Sequence, residues 1–184
     1  MIMQMQSSLS DQCKAILLGS VLGDGSLKIH TGYKNARFSF RHSIHQKEYF
    51  DWKVSTLKEI STERCTWEQH DEGFSNEKLR YQSAALESLT ALYYLTHDQR
   101  KFRIRRHWLN MLTPLSLAVW WCDDGSLIGN TRKGVICTDG FSQDEVTLLV
   151  RYLKVVWGVS AHVGAAGTQG PRASYYRVWI RSTE

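Results

Sequence analysis

The sequence predicts an α+β protein built from two similar halves, each with the order helix, strand, strand, helix, strand, strand. Two stretches 100 residues apart support this prediction, LLGSVLGDGSL at positions 17–27 and LAVWWCDDGSL at positions 117–127. Each is an apolar run of helical length that stops at Asp-Gly-Ser-Leu, and alternating apolar and polar residues follow it. We therefore expect two pseudo-symmetric repeats that pack through their motif helices and carry two antiparallel sheets.

The first repeat is placed at residues 1–100 and begins with a helix over 13–23. SLKIHT and ARFSFRHS flank the turn-like GYKN and alternate as a hairpin with one buried face should. HQKEYFDWKVSTLKEI has helical spacing, and RCTWEQ and KLRYQS follow as a second pair of strands. AALESLTALYYLTHD then predicts a further helix, with its aromatic-rich stretch at 92–95 in the core.

The second repeat is placed at residues 101–184 and has a basic lead-in segment before its helix over 114–123. SLIGNT and KGVICTDG predict the hairpin, SQDEVTLLVRYLKVVWG the helix, and SAHVGA and YYRVWIRS the second pair of strands. Only TE follows the last strand, whereas the first repeat continues into a helix. The second repeat is therefore expected to be short at its carboxyl end.

The charge distribution is compatible with a polyanionic partner, although many basic proteins bind nothing acidic. Residues 1–100 hold 12 Lys and Arg against 12 Asp and Glu, and residues 101–184 hold 11 against 6, so the net charge of +5 lies in the second part. The four cysteines show neither CxxC spacing nor disulfide-rich density, so we expect an intracellular setting, either an organelle or a bacterial cytoplasm. No export signal and no uncharged run of the ~20 residues that a membrane span needs is evident.

The aspartates at the ends of the two motifs are candidate metal ligands. Asp24 and Asp124 fall at helix carboxyl ends, where the helix dipole already contributes negative potential. A carboxylate there is stabilised by a cation, and oxygen ligands favour Mg²⁺ over zinc. Gly25 and Gly125 stand where left-handed glycines commonly end helices. The alternative is that each Asp-Gly pair only turns a helix into a strand.

Small residues on the motif helices predict how the two carboxylates meet. Gly19 and Gly23 lie four apart on the first helix, and Ala118 and Cys122 have the same spacing on the second. If these two faces pack together, the carboxyl ends of the helices emerge side by side. Two carboxylates would then share one cleft, an arrangement that favours bridging cations.

These motifs resemble those of the LAGLIDADG homing endonucleases. LLGSVLGDGS and LAVWWCDDGS are similar to the two signature helices of that family, and the second is most similar to the single-chain branch with a WFMDDGS-type motif. The resemblance covers nearly the whole chain and implies a monomer whose two sheets form a saddle over a long double-stranded DNA site. It further implies Mg²⁺-dependent hydrolysis of both strands with Asp24 and Asp124 as catalytic metal ligands. Asp123 stands where the first copy has Gly23 and is expected to be a structural group or one that supports the ligands, with an added metal ligand as the alternative.

Basic and hydrogen-bonding side chains recur on one face of the predicted strands and their turns. Such a face suits base edges and phosphates in a major groove, although an ordinary solvated sheet face is the alternative. The predicted DNA-binding residues are Lys28, His30, Arg37, Ser39, Arg41, Lys78, Arg80, Arg103, Arg132, Lys133, Arg177, Trp179 and Arg181.

The lead-in segment HDQRKFRIRRHW supplies a candidate catalytic side chain that would assist the metals. In the family branch that this chain resembles, a basic residue at about this distance before the second motif lies beside the active site, and Lys101 matches best by position, with Arg103 next. Phosphate anchoring by the whole cluster is the alternative. His42 and His45 are expected to be surface residues. The rival function is a non-cleaving DNA-binding regulator or an intron RNA maturase, with intron RNA as the partner.

Overall fold

A computed structural model of the chain describes residues 9–69, 77–166 and 175–181. Its elements confirm the α+β class and the predicted element order. The helices are α1 (Asp11–Leu22), α2 (Lys47–Thr56), α3 (Glu87–Thr96), α4 (Arg106–Leu109), α5 (Pro114–Asp124) and α6 (Gln143–Trp157). The strands are β1 (Ser26–Lys28), β2 (Arg37–Ser43), β3 (Thr66–Gln69), β4 (Lys78–Gln82), β5 (His97–Asp98), β6 (Lys101–Phe102), β7 (Gly125–Leu127), β8 (Gly134–Ile136), β9 (Ala161–Ala166) and β10 (Tyr175–Ile180).

The two halves carry sheets of the same topology. The first sheet has the strand order β1-β2-β4-β3 and the second has the order β7-β8-β10-β9, with every pair antiparallel. One face of each sheet is covered by a helix, α2 on β2 and β4 and α6 on β9 and β10. Within the described ranges, no helix is long and apolar enough to cross a membrane.

Alternation along β2 and β4 determines which face of the first sheet is buried. Phe38, Phe40 and Tyr81 lie on the helix side and are at most 4% exposed, and the Phe40 and Tyr81 rings stack with centroids 5.0 Å apart. The residues between them point to the opposite face. A shift of register by one residue would move these rings into water, so the register is strongly specified.

The halves meet through α1 and α5, but not on the face that the sequence suggested. A Cβ on Gly19 would lie 2.4 Å from the Ser116 carbonyl oxygen, and one on Gly23 would lie 2.5 Å from the Asp123 Cβ. The glycines of α1 therefore do allow close helix packing. Ala118 and Cys122 are exposed, so the prediction that they form the matching face is wrong. On α5 the contacting residues are Ser116 and Asp123, which lie seven positions or two helical turns apart, rather than the four positions predicted.

Gly25 and Gly125, the glycines after the motif aspartates, were expected to end their helices in the left-handed conformation. This expectation is wrong for both glycines. Gly125 has φ −84° and ψ 149°, and the positive-φ glycines in the described ranges lie elsewhere, at 32, 129 and 158. The reason for glycine here is space. A Cβ on Gly25 would meet the Phe38 ring at 2.7 Å, and one on Gly125 would meet the Trp121 ring at 2.5 Å.

The connection between the halves contains a small hairpin that the sequence analysis did not identify. β5 and β6 pair across a two-residue turn in which Gln99 and Arg100 both have positive φ, at 47° and 64°. Turns of this kind favour Asn and Gly, and two long side chains mask the signal in the sequence. α4 follows, and then Thr113 caps α5 with Pro114 at its start.

The two halves differ in the surface that α3 covers in the first half. α3 packs on β1 and β2, where Leu27 is 2% exposed, whereas Leu127 at the same place in the second motif is 66% exposed. The aromatic stretch of α3 is only partly in the core as predicted, because Tyr93 is buried but Tyr94 is 68% exposed. The helix uses one face for packing, so neighbouring tyrosines point in different directions.

Gly19→Ala is expected to destabilise the fold strongly, because its methyl group would have to displace the backbone of Ser116. The expected loss in the free energy of unfolding is about 1–3 kcal/mol, after the gain in helix propensity has been subtracted. Urea unfolding followed by circular dichroism measures it. Gly140→Ala is the matched control, since a Cβ at Gly140 has no neighbour within 4 Å. Equal stability of the two variants would contradict this packing.

Candidate active site

The two motif aspartates lie at the ends of the packed helices. Asp124 is the last residue of α5, and Asp24 follows Gly23, which caps α1. Burial, followed by the charge of Asp123, raises the pKa of Asp24 to about 6. Burial, followed by the charges of Asp24 and Asp123, raises the pKa of Asp124 to about 7. The charges of Asp24 and Asp123 thus act on Asp124, as expected for carboxylates that share a cleft.

A histidine from the first sheet reaches this cleft. His42 lies on the helix side of β2, is 3% exposed, and places its Nδ1 3.5 Å from Oδ2 of Asp24 and its Nε2 3.8 Å from Oδ1 of Asp123. The three residues offer ligand atoms that lie within 4.8 Å of one another. The expectation that His42 is a surface residue is wrong, because it continues the row of Phe38 and Phe40. His45 is exposed, as expected.

Asp123 is held by two side chains of α2. The Lys53 ammonium donates to both carboxylate oxygens of Asp123, at 3.0 and 3.1 Å, and the Tyr49 hydroxyl donates to Oδ1 at 2.8 Å. The side chains of Lys53 and Asp123 are both fully buried. Lys53 also lies over the Phe40 ring, with Nζ 4.4 Å from the centroid. This network joins the first half to the motif helix of the second.

Burial and the neighbouring charges shift the pKa values around Asp123 in different directions. Burial lowers the pKa of Lys53, while the charge and hydrogen bonds of Asp123 act in the opposite direction. Burial, together with the Lys53 charge, lowers the pKa of His42 to about 4, so its imidazole is neutral at physiological pH. The unprotonated nitrogen of a neutral imidazole can accept a hydrogen bond or bind a metal, whereas an imidazolium has no such nitrogen.

The donor set fits a divalent cation. Asp24 offers carboxylate oxygens, and the buried Nδ1 of His42, which has no hydrogen-bond partner among the described residues, faces it. Asp124 at the end of α5 stays a predicted ligand beside this group. Asp123 differs because the Lys53 ammonium already neutralises it, as suits the structural role expected from the sequence. Carboxylate oxygens favour Mg²⁺ or Mn²⁺, and an imidazole nitrogen is also accepted by Mn²⁺.

A groove of about 420 Å³ runs from Asp24 across the open face of the first sheet. It brings together six of the residues predicted from the sequence, namely Asp24, Lys28, His30, Ser39, Arg41 and Arg80. Trp67 on the edge strand β3 also lines it and was missed, although its alternation in RCTWEQ indicated an outward position. Arg37 and Lys78 lie on the same face, at the ends of the strand register, and Arg37 donates to Gln82 at 3.1 Å.

The open face of the second sheet is less uniformly basic. Arg177 donates two hydrogen bonds to Asp139, both 2.7 Å long, so its guanidinium is already engaged. Trp179 lies across Gly164, where a Cβ would stand 2.3 Å from the indole nitrogen. Arg181 donates to His162 at 3.4 Å, and Arg132 and Lys133 are exposed in the β7–β8 turn.

The predicted catalytic lysine lies on the hairpin between the halves. Lys101 is exposed on β6, and the next residue, Phe102, lines a cavity of about 210 Å³ with Val21 and Gly25 at the end of α1. The hairpin therefore lies beside the first motif. Arg103 is 4.0 Å from Glu145 of α6 and is half exposed. Among the described residues, no hydrogen bond or ion pair joins Lys101 or Arg103 to Asp24 or Asp124. The catalytic roles of these two basic residues therefore stay predictions.

Comparison with known proteins finds a matching family and relatives that are similar over most of this chain. Residues 14–184 match the LAGLIDADG DNA endonuclease family. The chain is 34% identical over 172 residues to protein RecA of Mycobacterium gastri, covering 86% of this chain but 40% of that protein. It is 26% identical over 186 residues to DNA endonuclease I-ChuI of Chlamydomonas applanata, covering 91% of this chain and 83% of that enzyme.

Solved structures share the fold. The homing endonuclease I-WcaI bound to its DNA recognition sequence superposes with a TM-score of 0.80 at 24% identity, covering 94% of this chain and 76% of that chain. A variant of I-DmoI in complex with its target DNA and in the presence of Mn gives a TM-score of 0.52 at 14% identity, covering 93% and 87%. The chain spans between 24% and 40% of the length of its RecA relatives.

Proposed function

Because the chain belongs to the LAGLIDADG DNA endonuclease family, we propose that it is a site-specific endonuclease that hydrolyses both strands of a long double-stranded DNA site. It acts as an intracellular monomer of the single-chain, WFMDDGS-type branch and uses Mg²⁺. The observation that supports this most is the groove in which Asp24, at the end of a motif helix, continues into a floor of Lys28, His30, Arg41 and Arg80.

The residues of the groove would bind and orient the duplex. Arginine and lysine on one sheet face contact phosphates and base edges, which sets the register of the DNA and selects its sequence. The relative I-ChuI is a DNA endonuclease, and I-WcaI is bound to its DNA recognition sequence. Both agree with a DNA substrate. On the second sheet, the Arg177 guanidinium would release the Asp139 carboxylate and donate its two hydrogen bonds to acceptor oxygens of the DNA.

The carboxylates at the helix ends would hold the cations. Asp24 and Asp124 would supply the carboxylate ligands, and a divalent ion held by them would supply Lewis-acid activation of water and charge stabilisation at the phosphate. His42 faces Asp24 from the buried side, and its unpartnered Nδ1 would be available as a further ligand. Lys101 would approach the phosphate from the hairpin beside α1 and neutralise part of the developing charge.

Cleavage of a randomised duplex library in Mg²⁺ tests the proposed function. The library is incubated with the chain, and the cut ends are captured and sequenced. We expect one long, partly asymmetric consensus among the products, with no product in EDTA. Sequence-selective binding without any cut product would identify a non-cleaving DNA-binding protein, and preferential binding of intron RNA would favour the maturase.

Arg41→Ala is expected to lower DNA affinity by about 1–3 kcal/mol and to relax preference at one base position, if its exposed guanidinium contacts a guanine. Arg177→Ala and Arg37→Ala are compared with it by fluorescence anisotropy over a series of single-base targets. Arg151→Ala is the control, because α6 lies on the opposite face of its sheet. A uniform loss over all targets with a shallower salt slope would instead identify a phosphate contact.

Metal binding is expected to stabilise the chain more at high pH. The raised pKa values, about 6 for Asp24 and about 7 for Asp124, mean that the folded chain retains protons that the unfolded chain releases. Their contribution to stability is complete below the ordinary aspartate pKa and is lost as pH rises through the raised values. In EDTA the Tm should therefore fall from about pH 5 to about pH 8, relative to an Asp24→Asn/Asp124→Asn variant.

Added Mg²⁺ competes with those protons, so it should raise the Tm clearly at about pH 8 and little at about pH 5. Differential scanning fluorimetry with Mg²⁺ and with EDTA measures both effects. The double asparagine variant should show no Mg²⁺-dependent rise. A rise of equal size at both pH values would contradict ion binding by these two carboxylates.

A further inference from the structure

The buried ion pair between Lys53 and Asp123 joins the two halves, and the symmetry-related positions hold no equivalent pair. Lys53 is the seventh residue of α2, and the seventh residue of α6 is Leu149. Both side chains are fully buried, with 0% exposure. In the motifs, Asp123 stands where the first copy has Gly23. The symmetry-related combination, Leu149 of the second half and Gly23 of the first, therefore carries no charge at either place.

Stability alone does not explain such a pair. Removing two charges from water costs several kcal/mol per ion, and well-packed apolar replacements of buried ion pairs are often neutral or stabilising. Leu149 shows that an apolar side chain suits this position on a helix packed against the sheet. The contacts that the pair makes therefore indicate its role.

The Asp123 side chain contacts the backbone that carries Asp24. Its Oδ2 accepts a long hydrogen bond, 3.4 Å, from the Asp24 backbone N–H. The same oxygen lies 3.0 Å from the point where a Cβ on Gly23 would stand, so carboxylate and backbone are in van der Waals contact. Lys53, Tyr49 and His42 also approach this carboxylate, at distances of 2.8 to 3.8 Å.

The Asp123 carboxylate cannot rotate freely. The Lys53 ammonium bridges both of its oxygens and the Tyr49 hydroxyl holds one of them, so polar contacts from α2 and from the end of α1 fix its plane. α2 itself is fixed on the first sheet. A force that moved Asp24 away from the cleft would have to displace this whole network.

We propose that Asp123 and Lys53 are positioning residues that hold the Asp24 carboxylate in place for metal binding, by fixing the backbone of one motif with a side chain of the other. The inference rests on the proposed function, in which Asp24 is a metal ligand. Asp123 then acts through Asp24 rather than as a ligand of its own. Groups that orient metal ligands typically change metal affinity or activity by about 10- to 100-fold when they are altered.

Two double variants of equal charge and nearly equal shape test the proposal. Lys53→Met/Asp123→Asn keeps an amide oxygen that accepts from the Asp24 N–H, and Lys53→Met/Asp123→Leu has the same branched shape without an acceptor. Leu149→Met is the control at the matched position of the second half. For each chain we measure the Tm, Mn²⁺ binding by electron paramagnetic resonance, and affinity and single-turnover cleavage on the duplex selected from the library.

The leucine variant is expected to fold with a Tm at least equal to that of the asparagine variant, yet to bind Mn²⁺ about 10-fold more weakly and to cleave about 10- to 100-fold more slowly. DNA affinity should change little, and Leu149→Met should cleave as the unaltered chain does. Equal Mn²⁺ affinity of the two double variants, or losses that follow the Tm alone, would overturn the proposal. If the unaltered chain cleaves no duplex, the proposed function fails, while the Mn²⁺ comparison still decides the positioning role.

Discussion

Asp24→Asn and Asp124→Asn are each expected to abolish double-strand cleavage, lowering its rate by more than about 100-fold, because each removes a charged ligand from the ion site. DNA affinity should be unchanged or higher, since repulsion between carboxylate and phosphate falls. Single-turnover cleavage and anisotropy on the same duplex separate the two effects.

Asp144→Asn is the matched control for these variants, because Asp144 is an exposed aspartate in the first turn of α6. It should cleave at the unaltered rate. Full cutting in Mg²⁺ by either motif variant would remove the proposed mechanism, and a parallel loss of DNA affinity would show that the substitution had disturbed the groove instead.

Lys53→Met alone is expected to destabilise the fold by about 3–5 kcal/mol, because it leaves the buried Asp123 carboxylate without its cation. Asp123 has a fully buried side chain and retains only the Tyr49 hydroxyl and the Asp24 N–H as donors among the described residues. Urea unfolding measures the loss. Adding Asp123→Leu should restore most of it, since both charges are then removed. A single variant as stable as the unaltered chain would show that Asp123 gains a proton or a solvent path at little cost.

Much of the architecture was predictable from the sequence because the repeat and the alternation report local geometry. The period of two in RFSFRHS determines which residues of β2 face the core, and the Asp-Gly-Ser-Leu ends locate both motif carboxylates. The same logic correctly placed Lys28, Arg41 and Arg80 on one open face. These features depend on a few neighbouring residues, so the sequence contains them.

The parts that could not be predicted depend on contacts between distant segments. On α5, small residues spaced four apart suggested Ala118 and Cys122 as the interface with α1. The way α1 packs against α5 instead brings Ser116 and Asp123 to the glycines of α1. Lys53 looks like a solvated helix lysine until α2 is placed against α5. His42 could have been found, since it continues the buried row of Phe38 and Phe40, but its polarity favoured a surface assignment.

A time course on a supercoiled plasmid that carries the selected target tests the central claim most directly, that paired carboxylates at the helix ends support metal-dependent cleavage of both strands. Supercoiled, nicked and linear forms are resolved with Mg²⁺, with EDTA, and with Asp24→Asn in Mg²⁺. The proposed mechanism predicts linear product from the unaltered chain in Mg²⁺ and from neither of the other two reactions. Linear product in EDTA or from Asp24→Asn, or a bound plasmid that stays supercoiled in Mg²⁺, would contradict it.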